Sequence, residues 1–404
     1  MKGKSWTNEQ LKAAVTAFAA GKMIVVLDDQ GEGHGILACS APAADADAVN
    51  VMATDARGLV CIGITRERAR HLGLSAQADA SGGPAYTISI EAAEGVTTGI
   101  SAADRAQTIK VTIDPTAGPA DVVSPGHLFP VMAHPGGVLA HRGPAEAVVD
   151  IASLAGMAEH AGAYCHVLSE NGDEANRDEL QALADRLDCP LVRMSDIASH
   201  RTSTEDLVRE VGGANMPTSY GPFDVSVWEN LLDGTQHVLL RLGASTPTDG
   251  LAPLVRVHSQ CLTGDAFKSH RCDCGQQLDM AMARVVEHGA GAVLYLRQEG
   301  RGIGLVAKLR AYELQDRGRD TVQANEELGY AADLREYGIG AQILLHAGYK
   351  RLRLMTNNPR KIAGLQAVGI DVQERVAIET EPREENLRYL RAKKAKLGHL
   401  LATL

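Results

Sequence analysis

Three cysteines within fourteen residues constrain this chain more than any other feature. Cys261, Cys272 and Cys274 stand in Arg256-Val-His-Ser-Gln-Cys261-Leu-Thr-Gly-Asp265 and His270-Arg-Cys272-Asp-Cys274-Gly275, with ten residues between the first two and one between the last two. With no fourth Cys nearby and no metal-spaced His, the triplet suits a zinc site with three protein ligands. A closed structural site takes four ligands, and an open position admits a water whose pKa zinc lowers to about 7. The spacing also fits a structural zinc knuckle with a distant fourth ligand, or reduced cysteines in a core. Cys272 and Cys274 can reach one metal from a tight turn, but they cannot share a helix face. A strand over 253–258 leads in. The stripe Leu278, Ala281, Met282, Val285 and Val286 predicts a helix leading out. The three thiols therefore span a strand-to-helix loop.

Further motifs follow in order. Gln298-Glu299-Gly300-Arg301 ends the apolar run Ala292–Leu296. Ala331-Ala-Asp333-Leu-Arg335 and Thr356-Asn-Asn-Pro-Arg-Lys361 come after it. Together with the cysteine stretch they resemble GTP cyclohydrolase II, the zinc enzyme that opens the guanine imidazole ring of GTP at the start of riboflavin synthesis. The resemblance covers about residues 215–404. It implies zinc on Cys261, Cys272 and Cys274, and GTP contacts from Arg256, Val257, His258, Ser259, Gln260, Gln277, Glu299, Gly300, Arg301, Thr321, Thr356 and Lys361. It also implies that Tyr312 orients water, that Asp333 accepts a proton and that Arg335 acts on the α-phosphorus. Because a guanidinium stays charged in proteins, electrostatic stabilisation is the more physical role for Arg335. Magnesium is expected on the GTP phosphates, and pyrophosphate and formate are the expected co-products. A chain releasing a formamide intermediate, or a zinc-stabilised scaffold with no turnover, are the competing readings.

The first half opens with Thr7-Asn-Glu-Gln10, a capping box, before Leu11, Ala14, Val15 and Phe18 on one helix face, with Gly21 as the stop. The strand Met23–Leu27 ends at Asp28-Asp29. With Tyr86–Arg105 and Pro125-Gly-His127-Leu-Phe129, this opening is similar to 3,4-dihydroxy-2-butanone 4-phosphate synthase, over about residues 5–205. That family follows its Asp-Asp pair with an Arg-Glu-Asn-Glu-Gly-Asp run whose first Glu ligates magnesium; here the chain reads Asp28-Asp-Gln-Gly-Glu32-Gly-His34-Gly. The second magnesium ligand is the His of a His-Thr-Glu-Ala motif; here Pro144 precedes Ala145-Glu146-Ala147. An essential family Glu after a Cys is replaced by His166 after Cys165, while His127 remains. Magnesium takes hard oxygen ligands in near-octahedral geometry, so the departures predict a catalytically silent domain. A shifted site using Glu32, His34, His127 and His166 is the alternative.

The expected fold class is mixed α/β (α+β) in two domains: 1–205, a linker over 206–222 containing Gly212-Gly213, and 223–404. Strands are expected near 223–228, 236–242 and 352–355, a helix over 305–316, and two short helices around a strand at Cys189–Met194. The tail from Arg383 reads as a solvated basic helix. The net charge of −10 divides unevenly: residues 1–250 carry −15 and residues 251–404 carry +5. The basic half suits a triphosphate. An aromatic content of 4% leaves few stacking platforms for nucleic acid. The other four cysteines stand singly, no run of 18 apolar residues occurs, and no signal-peptide core opens the chain, so a cytoplasmic protein without a membrane span is expected. The resemblance implies a homodimer.

Overall fold

The computed structural model describes residues 8–29, 33–77, 85–245, 250–330 and 337–402. The chain divides into two units, Met1–Arg201 and Thr202–Leu404.

The first unit carries one mixed sheet: β1 (Ile24–Leu27), β2 (Gly35–Ser40), β3 (Arg57–Ile64), β4 (Ala85–Tyr86), β5 (Ile90–Ala92), β6 (Val122–Met132), β7 (Gly162–Val167) and β8 (Leu191–Arg193). Its order is β4-β6-β3-β7-β2-β1-β8, with β5 on β6. The continuous apolar run of β1 is buried on both faces: Val25 and Leu27 enter one core, Ile24 and Val26 the other. The first core takes α2 (Ala46–Val51), α3 (Arg66–His71), α4 (Ala102–Ile113) and α6 (Arg177–Arg186). The second takes α1 (Glu9–Ala19), α5 (Pro144–Leu154) and α7 (Met194–Thr204). The stripe Leu11, Ala14, Val15 and Phe18 is fully used, and Gly21 (φ +76°) stops α1 as its spacing predicts. The N-cap is Asn8, whose side chain accepts from the Gln10 N–H at 2.7 Å; Thr7 lies outside the described residues.

The second unit is built on β9 (Val208–Pro217), β10 (Pro222–Asn230), β11 (Gln236–Leu242), β12 (Leu254–Ser259), β13 (Gly291–Leu296), β14 (Arg351–Met355) and β15 (Asp371–Val376), in the order β15-β14-β12-β13-β11-β10-β9. β9, β10 and β11 pair antiparallel, and β11 joins β13 antiparallel. From β13 through β12 and β14 to β15 the sheet is parallel. Parallel strands need crossovers, which here are helical. α8 (Leu262–Asp265) and α9 (Cys274–His288) join β12 to β13. α10 (Gly304–Asp316), α11 (Thr321–Glu327) and α12 (Gly338–His346) lie between β13 and β14, and α13 (Pro359–Gln366) joins β14 to β15. α9 packs Ala281, Met282 and Val285 on one face of the sheet; α12 and α13 pack Ile343, Leu344 and Leu365 on the other. The chain closes with α14 (Leu387–Leu397).

The mixed two-domain α/β class is the fold observed. Two expectations are corrected. Residues 206–222 are not a free linker, because 208–217 form edge strand β9, paired along its length with β10. Nearly all of its side chains are exposed, so backbone hydrogen bonds hold it rather than an alternating apolar face. Nor is the tail simply solvated: Leu390, Lys393 and Leu401 are buried.

Candidate functional site

Three separated segments converge because each follows a parallel strand. Gln260-Cys261 leaves β12, Gln298–Arg301 leaves β13 and Thr356–Lys361 leaves β14. The carboxyl ends of parallel strands are where open α/β sheets place ligands. Here they open on one cavity, lined by residues of all three segments.

The three Sγ atoms lie within 4.8 Å of one another, with Cys261 and Cys272 at 3.6 Å. Two glycines permit this packing. A Cβ on Gly264 would stand 2.9 Å from the Cys272 Sγ and 3.1 Å from the Cys261 Sγ, and one on Gly275 would meet the Gly264 carbonyl at 2.2 Å. Hydrogen bonds from the Cys272 and Cys274 thiols, and then Lys308, drive the Cys261 pKa far down. The same sharing pushes Cys272 up to about 11 and Cys274 well above its ordinary value. The Lys308 ammonium beside Cys261 favours the thiolate there, the form that ligates metal.

Asp265 clamps this loop. Its Oδ2 accepts from the Cys261 N–H at 2.9 Å and the Tyr295 hydroxyl at 2.8 Å, and its Oδ1 lies 3.0 Å from the His258 Nε2. The His258 ring stacks on Tyr295 at 5.5 Å. Burial lowers the His258 pKa despite Asp265. Lys308, on α10, reaches the Cys261 Sγ (3.2 Å), the Thr263 Oγ1 (3.0 Å) and the Glu299 Oε1 (2.7 Å). Burial alone would lower its pKa, but Cys261 and Glu299 hold it above its ordinary value. Tyr312, one turn on, lies 3.4 Å from the Thr263 Oγ1, with the Arg271 guanidinium 5.0 Å over its ring. Arg271 in turn donates to both Asp316 oxygens, at 2.8 and 2.9 Å.

The structure gathers most of the expected nucleotide residues on this cavity. Arg256 donates to the Gln277 Oε1 at 2.7 Å and the Met355 carbonyl at 2.9 Å. Lys361 donates to the Val257 carbonyl at 2.7 Å. Ser259 sits 3.4 Å from the Gln298 Oε1, and the Gln260 N–H is bonded to Leu296. Gly300 and Arg301 both take left-handed backbone angles (φ +61° and +62°). For an arginine that conformation is strained, which is characteristic of functional turns. Thr321 opens α11, and the Thr356 hydroxyl accepts from the Asn358 N–H at 3.0 Å. Val257 departs from expectation: its side chain is in the core. Glu299 accepts from the Leu262 N–H (2.7 Å), the Gly300 N–H (3.1 Å) and Lys308, so it ties the Gly300 turn to the cysteine loop. Asp333 and Arg335 lie outside the described residues. Sequence reasoning missed Asp265, Asp273, Lys308, Tyr389 and Lys393. Only the spacing of Lys308, Tyr312 and Asp316, four apart on one helix face, offered a signal.

In the first unit, Asp29 accepts from the Ser195 N–H at 3.1 Å and from its hydroxyl. His127 contacts Glu91. Pro144 is the first residue of α5. Glu146 accepts from the His134 N–H at 2.9 Å and pairs with His141 at 3.0 Å. Glu174 lies 3.1 Å from His34 and 4.0 Å from His166. Glu32 lies outside the described residues.

The 3,4-dihydroxy-2-butanone 4-phosphate synthase family model matches residues 12–200, and the GTP cyclohydrolase II model matches residues 208–377. Fold and site thus define an enzyme of riboflavin biosynthesis with a GTP cyclohydrolase II domain, a family that implies a metal cofactor. The chain is 46% identical over 400 residues to riboflavin biosynthesis protein RibBA of Synechocystis, covering 97% of this chain and 72% of that one. It is 44% identical over 397 residues to RibBA of Aquifex aeolicus, covering 96% and 97%, and 46% identical over 396 residues to that of Bacillus cereus, covering 97% and 99%. A solved structure of RibBX, a two-domain 3,4-dihydroxy-2-butanone 4-phosphate synthase from A. baumannii, superposes with a TM-score of 0.71 at 28% identity, covering 92% of this chain and 99% of that one. The chain belongs to the RibBA family of riboflavin biosynthesis proteins. No helix among its described residues is long and apolar enough to cross a membrane.

Proposed function

We propose that the second unit is a zinc-dependent GTP cyclohydrolase II. It converts GTP and three waters to 2,5-diamino-6-ribosylamino-4(3H)-pyrimidinone 5′-phosphate, formate and pyrophosphate. The observation that carries this reading is the cysteine trio lining a cationic cavity. Four sulfurs around zinc at Zn–S ≈ 2.3 Å would stand roughly 3.8 Å apart, and Cys261 and Cys272 already stand 3.6 Å apart. Three thiolates leave a fourth position, where zinc supplies Lewis acidity and a water acidified to a pKa of about 7.

The remaining work falls to the chain's own groups. Among the residues lining the cavity, six are Lys or Arg against only Asp273 and Glu299. That balance favours the triphosphate with its magnesium. Hydrolysis at the α-phosphorus breaks the α–β anhydride and releases pyrophosphate, with Arg335 stabilising charge there. A second water adds at guanine C8 and the C8–N9 bond opens; Tyr312, steadied by Arg271 and Thr263, orients that water. A third water cleaves the resulting formamide to formate, with Asp333 accepting a proton. A time course on the zinc-loaded protein, with magnesium, is expected to give formate and pyrophosphate in equal amounts. Cys272→Ser is expected to lose zinc and formate release together. Full formate release by that variant without metal would refute the assignment.

We further propose that the first unit does not form 3,4-dihydroxy-2-butanone 4-phosphate. Pro144 and His166 stand where the resemblance requires a His and a Glu, and the Glu146 carboxylate is engaged by His134 and His141. Turnover of ribulose 5-phosphate above trace rate would overturn this.

A further inference from the structure

Residues 378–402 lie beyond the segment matched by the GTP cyclohydrolase II model, which ends at 377. Yet they reach the segments that follow β12, β13 and β14, at Asp273, Arg301 and Asn357. Lys393, buried on α14, donates to the Asp273 Oδ1 at 2.6 Å. Asp273 is the residue between Cys272 and Cys274 and is 1% exposed. Its other oxygen accepts from the Gln277 Nε2 at 2.7 Å, and the Gln277 Oε1 accepts from Arg256 at 2.7 Å. The Asp273 carboxylate, neutralised by Lys393, and the Ile378 carbonyl, which accepts from the same Nε2 at 3.1 Å, together fix which end of the Gln277 amide faces Arg256.

One turn before Lys393, the Tyr389 ring lies 4.4 Å from the Lys393 ammonium and 5.8 Å from the Arg301 guanidinium. One turn after, Lys396 reaches the Asp320 Oδ2 at 2.5 Å, on the residue that caps α11 beside Thr321. Beyond Gly398 the Leu400 N–H donates to the Asn357 carbonyl at 2.8 Å. Tyr389, Lys393, His399 and Leu401 all line the cavity.

We propose that residues 387–401 form a wall of the nucleotide site, and that Lys393 is a positioning residue for GTP, acting through Asp273 and Gln277 on Arg256. The inference rests on the GTP reading of that site. A helix held only for stability would have no reason to aim a cation and a phenol ring into the cavity. It would not thread its one buried ammonium among the described residues of α14 into the hydrogen-bond chain of two nucleotide residues.

The test uses the full-length, zinc-loaded protein. Lys393→Met is expected to raise the KM for GTP at least tenfold while kcat changes less than threefold and zinc content is kept. Lys393→Arg, which retains the charge, is expected to recover most of the loss. An unchanged KM overturns the proposal. So does loss of zinc and all activity in both variants, because Lys393 then serves the metal loop alone. Hydrogen exchange on the wild-type protein gives a reading independent of how the variants fold: a non-hydrolysable GTP analogue is expected to slow exchange across 387–401. Binding of the analogue without that slowing overturns the wall. If the wild-type protein neither binds nor hydrolyses GTP, the functional reading itself fails, which is distinct from either result.

Discussion

Asp265 offers a sharp test of how the cysteine loop is held, because its two nearest substitutions separate charge from hydrogen bonding. Asp265→Ala orphans three donors: the Cys261 N–H, the Tyr295 hydroxyl and the His258 Nε2–H. Each buried orphan costs about 1–3 kcal/mol. Allowing for relaxation of the tyrosine hydroxyl, the sum is about 3–6 kcal/mol, a large part of a domain's usual 5–15 kcal/mol. Asp265→Asn keeps most of the clamp. With its carbonyl toward Cys261 and Tyr295, its NH₂ faces the His258 Nε2, and the imidazole moves its proton to Nδ1. That atom is buried and has no hydrogen-bond partner among the described residues, so one donor is orphaned. The reversed amide sets its NH₂ against the Cys261 N–H and orphans one as well. The expected cost is about 1–3 kcal/mol. Urea unfolding of metal-free protein reads both values through Trp228, buried in the second unit, in a Trp6→Phe background. Chelator competition reads zinc, whose affinity is expected to fall about 10–100-fold for the alanine variant, the usual effect of losing a group that orients a ligand. Equal losses for alanine and asparagine would refute the clamp and leave the negative charge as the operative feature.

Three other outcomes follow from the same geometry. Lys308→Met removes the ammonium shared by Cys261, Thr263 and Glu299, and GTP kcat/KM is expected to fall about 10–100-fold; a variant within twofold of wild type would contradict the role. Gly264→Ala forces a Cβ to within 2.9 and 3.1 Å of two sulfurs, so zinc binding is expected to weaken at least about tenfold, as in other disturbed metal sites, and a chelator titration decides. Burial pushes the His237 pKa down to about 4, so the unfolded chain binds the proton first as pH falls below about 6.5. Folding stability is therefore fully present above that pH and is lost toward pH 4. Between pH 7 and 5 the loss from this group is about 2 kcal/mol, and His237→Gln is expected to remove that part of the slope in unfolding midpoints, whereas an unchanged slope would rule it out.

The fold was legible wherever side chains carried the signal. The stripe of α1, the buried run of β1 and the strand-to-helix span of the cysteine loop all follow from apolar periodicity. β9 did not, because its polar, glycine-containing residues are nearly all exposed and its order comes from backbone pairing to β10. The tail misled for the opposite reason. Its Lys and Arg spacing reads as a solvated face, but Lys393 exchanges water for the Asp273 carboxylate, and a partner 120 residues away leaves no local mark.

The cavity was legible in most of the residues that gather on it and less so in what holds them. α10 shows why. Its face toward the cysteine loop presents Lys308, Tyr312 and Asp316, spaced four apart, engaging Cys261, Thr263 and Arg271. A helix that packs a core shows an apolar stripe, but a helix that covers a charged cavity cannot afford one. Lys308, the buried one of the three, must instead meet a partner, or its burial would cost more than the contact returns. Polar residues at helical spacing opposite a metal-binding loop are thus the sequence trace of a covered site. In this chain that trace predicts a graded response: replacing Lys308 removes the ammonium shared by Cys261, Thr263 and Glu299 and loosens the cysteine loop, replacing Tyr312 with Phe takes one partner from Thr263, and replacing Asp316, whose pair with Arg271 is exposed, costs little.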